Sequence, residues 1–297
     1  MKPIRSLLFV PGNKPDWMAK APRYGADALV LDLEDAVPVT DKVATRPIVR
    51  RAIDDLKARD QTLYVRVNDL STGLTADDLA GVVCAGLDGI MMPKVDGSED
   101  VRRMDALLTY AEGLVGVPAG QIEIIASLES AKGLRNAYEI ALAPRVATLM
   151  AGSSDGGDTS QSVGYIWTKE EQETLYFRSK AVLDGRAAGL KHLLVGLWSN
   201  IADLDGLERH CVRNRQLGFN GEVLIHPSHV PVVNRIYTPS VQEIADAEGL
   251  LQAMAEAERQ GTAAVTYKGG MVDYAMVKTA QQLLDFARRV GAYPGKG

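Results

Sequence analysis

The feature that most constrains the fold of this chain is a short apolar run that recurs about eight times along it. Each run is followed by a polar turn and then by residues with helical periodicity, the alternation expected of βα units. The runs cover residues 6–11, 28–33, 62–67, 89–93, 123–127, 146–151, 192–197 and 222–225. Eight parallel strands with intervening helices predict a closed (β/α)₈ TIM barrel of the α/β class. A doubly wound sheet typically has six strands and a Gly-rich phosphate turn after the first.

The pattern changes after Pro239. Residues 240–243 read Ser-Val-Gln-Glu, a capping box that opens a helix predicted over residues 244–260. A Gly-rich turn and a second helix from about Tyr274 follow. We therefore predict a barrel catalytic domain over residues 1–238 and a small C-terminal helical lid or oligomerisation segment over residues 239–297.

Charge and composition exclude several classes of partner. The net charge of −5 provides no basic field to neutralise phosphates, so a nucleic-acid partner is not expected. Cys84 and Cys211 lack metal-site spacing and are too few for a disulfide framework, which indicates inert thiols in a reducing compartment. No signal-peptide pattern is present, and no apolar run approaches the roughly 20 residues of a membrane span. We expect a soluble, cytoplasmic protein without membrane contact.

Charged residues that follow barrel strands are candidates for function, because the active site of this fold lies at the carboxyl ends of the strands. Six such residues lie at or just past the ends of the second to sixth runs: Glu34, Asp35, Arg66, Lys94, Glu129 and Asp155. Two cations and several carboxylates are therefore predicted to converge on one rim.

Glu129 and Asp155 follow consecutive strands and can face one ion. Hard carboxylate oxygens, without a paired His or Cys, favour Mg²⁺ over Zn²⁺. The alternative is that each carboxylate caps the following helix or pairs with Lys132 or Arg135.

Arg66 can bind a carboxylate or stabilise an enolate oxygen, since its guanidinium offers two parallel donors. The alternative is an ion pair with Glu34 or Asp35, and the two roles are compatible. Taken as neighbours in a strand, Glu34 and Asp35 are predicted to point to opposite faces, so that at most one enters the barrel mouth.

Several segments resemble the signature segments of the citrate lyase beta-subunit and HpcH/HpaI aldolase family, in family order. They are residues 5–12, residues 31–37 with Lys42 and Arg46, residues 65–68, residues 92–94 and residues 218–227. Residues 270–273, Gly-Met-Val-Asp, resemble the Met-Ile-Asp motif in the C-terminal lid of malyl-CoA and citramalyl-CoA lyases.

The resemblance implies a Mg²⁺-dependent lyase that makes or breaks a carbon–carbon bond next to an acyl-CoA thioester. Glu129 and Asp155 match the family's Mg²⁺ ligands, and Arg66 and Glu129 match residues that contact the substrate. Asp273 matches a lid acid/base that reaches into the site of a neighbouring subunit. The implied assembly is a homotrimer or homohexamer with lid exchange.

Further site residues are expected at the rim. Asn13 and Lys14 lie where the family contacts the CoA phosphates, although either is equally well an ordinary turn residue. We also assign Lys94 to substrate binding and place Glu34 and Asp35 with Arg66 in the catalytic group. His226 and His229 have the wrong spacing for a metal pair on one face, so structural roles are expected for both.

Malyl-CoA, citramalyl-CoA and citryl thioesters all satisfy this scheme, with acetyl-CoA and a 2-oxo acid as products. Residues 156–159, Gly-Gly-Asp-Thr, and a seventh strand without an acidic residue depart from the family pattern and leave the acyl group open. The alternatives are a CoA-independent 2-oxo acid aldolase, a citrate lyase subunit that depends on an acyl carrier, and a non-catalytic binding protein.

Overall fold

A computed structural model describes residues 1–262 and 265–293 of the chain. It contains two compact units, Met1–Arg235 and Ile236–Gly297. We describe each unit by itself.

The first unit is built on a closed barrel of eight parallel strands in the order β1 to β8, as predicted. The strands are β1 Ser6–Pro11, β2 Ala28–Asp32, β3 Thr62–Arg66, β4 Gly89–Met92, β5 Glu123–Leu128, β6 Val146–Gly152, β7 Leu194–Gly196 and β8 Gly221–Leu224. Both ends of every strand lie within two residues of the ends of the predicted run. The prediction succeeds because the alternation of apolar runs with helical periodicity is typical of βα units.

Helices surround the barrel. They are α1 Pro15–Lys20, α2 Lys42–Lys57, α3 Thr75–Val82, α4 Ser98–Val115, α5 Ala131–Arg135, α6 Ala137–Ala141, α7 Asp158–Val163, α8 Gln172–Ala187, α9 Leu204–Leu217 and α10 Val230–Tyr237. On α2, the buried side chains of Val49, Ile53 and Leu56 recur at helical spacing and give the helix its inward face. None of the helices in the described ranges is long and apolar enough to cross a membrane.

Side chains fill the barrel interior in layers of four from alternate strands, as is usual for this fold. The core cluster contains one set from odd strands and one from even strands: Leu7, Tyr64, Ile125 and Leu194, then Val30, Met91, Met150 and Val223. Side chains two residues apart in a strand share a face. The residues two positions further along each strand therefore form the next layers towards the carboxyl end of the barrel. Those layers contain Phe9, Arg66, Ser127 and Gly196, followed by Asp32 and Gly152. They form the floor and wall of the mouth at the carboxyl end of the barrel.

The second unit is a helical hairpin with a small sheet. The predicted capping box is confirmed: Ser240 and Glu243 cap the start of α11, Val241–Arg259, reciprocally. The predicted Gly-rich turn is present at Lys268–Gly269, but the sequence analysis missed the antiparallel hairpin that it connects, β9 Val265–Tyr267 and β10 Gly270–Val272. Helix α12, Tyr274–Arg289, then packs on α11 through apolar side chains that include Ile244, Ala280 and Leu284.

A buried charged network ties α8, α9 and β8 together behind the barrel wall. The His210 ring bonds Glu171, the residue before α8, through Nδ1 and lies 3.1 Å from Glu222 Oε2 through Nε2. Asn214 Nδ2 donates to Glu222 Oε1, and Arg178 Nη1 donates to Asn214 Oδ1. Burial lowers the pKa of His210, but the two carboxylates outweigh it and raise the pKa to about 9. His210 is therefore charged at neutral pH and balances two buried carboxylates.

The replacement His210→Gln should cost roughly 3 kcal/mol of unfolding free energy at pH 7, because it removes the cation that lies between the buried carboxylates of Glu171 and Glu222, while Glu171 keeps Arg178 and Arg213 as neighbours. The folded-state pKa is raised above the unfolded value, so this stabilisation is complete below pH 6.5 and is lost as the pH rises through about 9. Urea unfolding at a series of pH values measures the difference. A gap between wild type and variant that stays constant from pH 6 to 10 would contradict the charge assignment. His226→Gln is the control, since His226 is partly exposed and bonds only its own turn at Ser228.

Candidate active site

Arg66 and Asp32 form a two-pronged ion pair at the carboxyl end of the barrel. They are register partners on β3 and β2, and their side chains therefore share the interior face. Arg66 Nε lies 2.7 Å from Asp32 Oδ1, and Arg66 Nη2 lies 2.7 Å from Asp32 Oδ2. The guanidinium also stacks over the Phe9 ring at 4.6 Å. Because both prongs are engaged, the plane of the guanidinium is fixed over the mouth.

Asp32 is a site residue that the sequence analysis missed. It was taken as part of the second strand and only the charged residues after it were considered. The signal that would have found it is the register of β2 with β3, which places a carboxylate directly beside Arg66.

Glu34 and Asp35 correct a prediction about the second strand. They were placed on opposite faces of a strand, but β2 ends at Asp32 and strand alternation does not apply to them. Both pair with Arg66, Glu34 at 3.0 Å and Asp35 at 3.5 Å, so the ion pair considered for Arg66 forms with both residues. Glu34 is buried and Asp35 is exposed. Burial raises the pKa of Glu34, while the Arg66 charge opposes that shift.

A buried lysine fixes the segment that carries Glu34. Lys42 Nζ donates to the backbone oxygens of Leu33 and Glu34, each at 2.9 Å, and to Asn68 Oδ1 at 2.6 Å. Asn68 in turn donates to Asp78, which is also bonded by Arg46. Lys42 and Arg46 thus hold the loops after β2 and β3 in place beneath the rim.

Lys94 reaches across the rim from the end of β4. Its ammonium lies 3.1 Å from Glu34 Oε1 and 3.3 Å from Asp158 Oδ2. Burial lowers the pKa of Lys94, but the charges and hydrogen bonds of Glu34 and Asp158 outweigh it and raise the pKa. The Lys94 backbone has φ 52°, a left-handed conformation that is costly for a residue with a side chain. Asp158, at the start of α7, is a second site residue that the sequence analysis did not single out.

Glu129 lies just past β5 and is partly buried. Its Cγ lies 3.6 Å from where a Cβ on Gly152 would be, so its side chain stands over the mouth. The pKa of Glu129 is raised to about 7, with burial as the largest cause; Arg66 and Lys94 oppose the rise, and the nearby Glu34 and Asp158 add to it. Lys132, considered as its partner, instead lies 3.7 Å from Asp96.

Asp155 is exposed in the turn between β6 and α7. In residues 1–262 and 265–293, no group of three or more His, Cys, Asp and Glu side chains is arranged to hold a metal ion. A Mg²⁺ site made of Glu129 and Asp155 would therefore draw its other ligands from water and substrate, as Mg²⁺ sites in proteins commonly do. The pairing of these two residues as ligands stays a prediction.

The charge balance of the rim fits a hard cation. Five carboxylates, those of Asp32, Glu34, Asp35, Glu129 and Asp158, interact with two cations, Arg66 and Lys94, which leaves a formal charge of 2 − 5 = −3. Oxygen donors with excess negative charge are the environment that Mg²⁺ prefers.

The remaining predicted residues are Asn13, Lys14, Asp273, His226 and His229. Asn13 is half-buried after β1, and its buried Oδ1 has no hydrogen-bond partner among the residues that the structure describes; Lys14 is exposed beside it. Asp273 belongs to the second unit, where it is exposed and caps α12 by accepting from Ala275 N and Met276 N. His226 caps its own turn, and His229 is fully buried with a pKa lowered by burial.

Comparison with known proteins assigns the family. A sequence model described as HpcH/HpaI aldolase/citrate lyase matches residues 5–227. The chain belongs to this family. It is 34% identical over 283 residues to citrate lyase subunit beta of Leuconostoc mesenteroides subsp. cremoris, covering 95% of this chain and 93% of the relative. It is 31% identical over 297 residues to mitochondrial citramalyl-CoA lyase of Mus musculus, covering 97% and 87%. The chain is accordingly a lyase of this family.

Two further relatives bear on the chemistry. A (3S)-malyl-CoA thioesterase of Cereibacter sphaeroides is 31% identical over 291 residues, covering 98% of this chain and 97% of the relative. Among solved structures, CitE from Mycobacterium tuberculosis in complex with magnesium, acetoacetate and coenzyme A is similar, with a TM-score of 0.74 and 28% identity. That match covers 96% of this chain and 98% of CitE.

The ion pair of Arg66 with Asp32 should be strongly coupled to the fold. Arg66→Met should lower the unfolding free energy by roughly 3–5 kcal/mol, because it leaves the buried Asp32 carboxylate without its ion-pair partner. Adding Asp32→Asn should restore part of the loss, so the double variant should be more stable than additivity predicts. The exposed pair Arg50 and Asp54 on α2 is the matched control, with a coupling of roughly 0.5 kcal/mol. Additive losses at Arg66 and Asp32 would show that the pair is not the stabilising element.

Proposed function

We propose that this protein is a Mg²⁺-dependent carbon–carbon lyase that cleaves or forms a 3-hydroxyacyl-CoA. The products of cleavage are acetyl-CoA and a 2-oxo acid. The observation that carries the proposal is the cluster at the barrel mouth, in which a fixed arginine lies among excess carboxylates. The relatives named as citrate lyase subunit and citramalyl-CoA lyase support it, as does the magnesium and coenzyme A bound by CitE.

Glu129 and Asp155 are the proposed ligands of Mg²⁺. The ion supplies Lewis-acid polarisation of the hydroxyl and carboxylate at the end of the substrate that leaves as the 2-oxo acid. The formal charge of −3 on the rim favours its binding, and Glu129 also contacts the substrate at the mouth.

Arg66 is the proposed stabiliser of the developing enolate. As the carbon–carbon bond breaks, the electron pair passes to the thioester side and negative charge grows on its oxygen. Donors that are already oriented stabilise such charge without the cost of reorganisation. Asp32, Glu34 and Asp35 hold the guanidinium in place for this role, and Lys94, Asn13 and Lys14 are proposed contacts of the acyl-CoA.

Asp273 is the proposed acid that protonates the enolate carbon, or the base that removes a methyl proton in the reverse direction. It is exposed, and Met271, Tyr274 and Met276 beside it are 77%, 56% and 43% exposed. A carboxylate surrounded by exposed apolar side chains suits a lid that covers the mouth of another copy. The proposed assembly is a homotrimer or homohexamer. We propose the division into a barrel domain, residues 1–238, and a lid, residues 239–297, on the same exposure around Asp273.

Other reactions remain candidates at the same site. The malyl-CoA thioesterase relative suggests hydrolysis of the thioester, which would release free CoA. A citrate lyase subunit would require an acyl carrier, a CoA-independent aldolase would act on a hydroxy-oxo acid alone, and a binding protein would turn over nothing.

A Mg²⁺-dependent assay with malyl-CoA, citramalyl-CoA and citryl-CoA tests the proposal. We expect acetyl-CoA and the 2-oxo acid, with activity lost on chelation. Glu129→Gln should weaken Mg²⁺ binding measured by calorimetry, while Glu139→Gln, an exposed glutamate on α6, should not. Free CoA without a 2-oxo acid would indicate the thioesterase. No activity on any of the three thioesters, with or without an acyl carrier, would reject the proposal.

The lid role of Asp273 can be tested by mixing two inactive variants. Asp273→Asn and Glu129→Gln are each expected to lower kcat by about 100-fold or more, because one lacks the acid and the other a metal ligand. If the lid acts on a neighbour, subunit exchange between them should restore part of the activity, since some mouths then receive both intact residues. Mixing Asp273→Asn with itself is the control. No recovery after confirmed exchange would place Asp273 in its own subunit's site or outside the reaction.

A further inference from the structure

The turn that carries Asp155 contains two glycines and has little conformational restraint of its own. It covers residues 153–157, between β6 and α7. Gly156 has φ 65°, and a Cβ on Gly157 would lie 2.6 Å from Ser154 Oγ, so a side chain is unfavourable at both positions. Because glycine loses more conformational freedom on ordering than any other residue, contacts from outside the turn must fix the position of Asp155.

Two contacts tie the ends of this turn to the barrel. Ser153 donates to the backbone oxygen of Gly196 on β7, at 3.0 Å from its backbone nitrogen and at 2.8 Å from its Oγ. Beyond the other end, Asp158 Oδ2 lies 3.3 Å from Lys94 Nζ. Neither contact involves Asp155 or a residue adjacent to it, so the middle of the turn needs a further restraint.

A tyrosine from the segment after α7 bonds the residue next to Asp155. Tyr165 Oη donates to the backbone oxygen of Ser154, and the two atoms lie 3.0 Å apart. The Tyr165 ring packs against Phe177 of α8, with the ring centroids 5.9 Å apart. The pKa of Tyr165 is raised to about 12, with burial as the largest cause and the carboxylates of Glu173 and Asp155 adding to it. The hydroxyl therefore keeps its proton at neutral pH and remains a donor.

Contacts further along the chain hold the segment that carries Tyr165. This connecting segment, residues 164–171, joins α7 to α8. The Trp167 ring lies edge-on to the Trp198 ring, with the centroids 5.3 Å apart, and Glu171 bonds the buried His210 ring. The connecting segment is thus anchored to the charged network behind the barrel wall, and Tyr165 approaches the turn from a fixed position.

We infer that Tyr165 is a positioning residue for the proposed Mg²⁺ site: its hydroxyl fixes the glycine-containing turn and so holds Asp155 in the orientation that binds the ion. Tyr165 acts through the Ser154 backbone and contacts neither the ion nor the substrate. The inference rests on the proposed role of Asp155 as a ligand and adds a residue to that site. Without this bond, Asp155 would have to be ordered when the ion binds, and the cost of ordering would weaken binding. Groups that orient metal ligands typically contribute 10- to 100-fold in metal affinity.

Tyr165→Phe tests the inference, because it removes the hydroxyl and keeps the ring against Phe177. We expect the Kd for Mg²⁺, measured by calorimetry, to rise by about 10-fold. Activity lost at limiting Mg²⁺ should be largely recovered when the Mg²⁺ concentration is raised by about the same factor. In the protein without Mg²⁺, the backbone amides of residues 155–157 should exchange with solvent about 2- to 10-fold faster. Tyr176→Phe is the control, since Tyr176 is 78% exposed on α8, and it should change none of these values.

The outcomes separate this inference from the proposed function. Unchanged Mg²⁺ affinity in a folded Tyr165→Phe protein would overturn the inference, even if the variant were less stable, and would leave the proposed lyase intact. Unchanged amide exchange would overturn it as well, because the hydroxyl would then not fix the turn. Mg²⁺ affinity that is the same in wild type and Asp155→Asn would remove the ligand assignment and the inference with it. A wild type that binds no Mg²⁺ would remove the proposed function itself.

Discussion

The register of β2 with β3 sets the chemistry of the barrel mouth. It places Asp32 and Arg66 side by side on the interior face, in adjoining layers above the apolar core. There the carboxylate is almost fully buried, at 1% exposure, and depends on the guanidinium for its charge balance. That carboxylate in turn orients the guanidinium, whose Nη1 lies 3.0 Å from Glu34 Oε2. A slip of one residue in either strand would turn the side chain of that strand out of the barrel and separate Asp32 from Arg66, so the strand pairing also fixes the electrostatics of the site.

The excess of carboxylates explains why the rim needs a cation from outside the chain. Arg66 and Lys94 neutralise part of the charge, and Lys94 does so from a left-handed backbone conformation that local sequence does not favour. Glu129 then lies partly buried among like charges, and its pKa is raised by burial and by those neighbours. Such an arrangement is unfavourable for an isolated barrel and favourable for one that binds a divalent ion. The charge balance therefore agrees with the magnesium bound by the CitE relative.

Sequence periodicity predicts the barrel because each strand is short, apolar and followed by a helix, so that every βα unit is visible locally. The partners within the site are not local. Asp32 pairs with Arg66 across 34 residues. Glu171 and His210 meet across 39, on elements whose sequences show only ordinary helical patterns. Glu34 and Asp35 were misplaced because the apolar run was continued past the point where β2 ends. The hairpin of β9 and β10 escaped notice because three-residue strands give no measurable alternation.

The division of the chain into two units gives the proposed mechanism an electrostatic rationale. In the barrel unit, Asp32, Glu34 and Asp158 are each engaged by a cation, and adding a proton to any of them would weaken the ion pairs that hold Arg66 and Lys94 in place. Those groups are suited to orientation. Asp273 lies in the other unit, exposed, where its Oδ1 accepts backbone N–H bonds from α12. An acid that enters the mouth only when substrate is bound can lose its solvent on closure without compromising the ion pairs that hold Arg66. In the proposed mechanism, the carboxylates of the barrel unit orient Arg66, and Asp273 of the second unit carries the proton. No single carboxylate therefore has to do both.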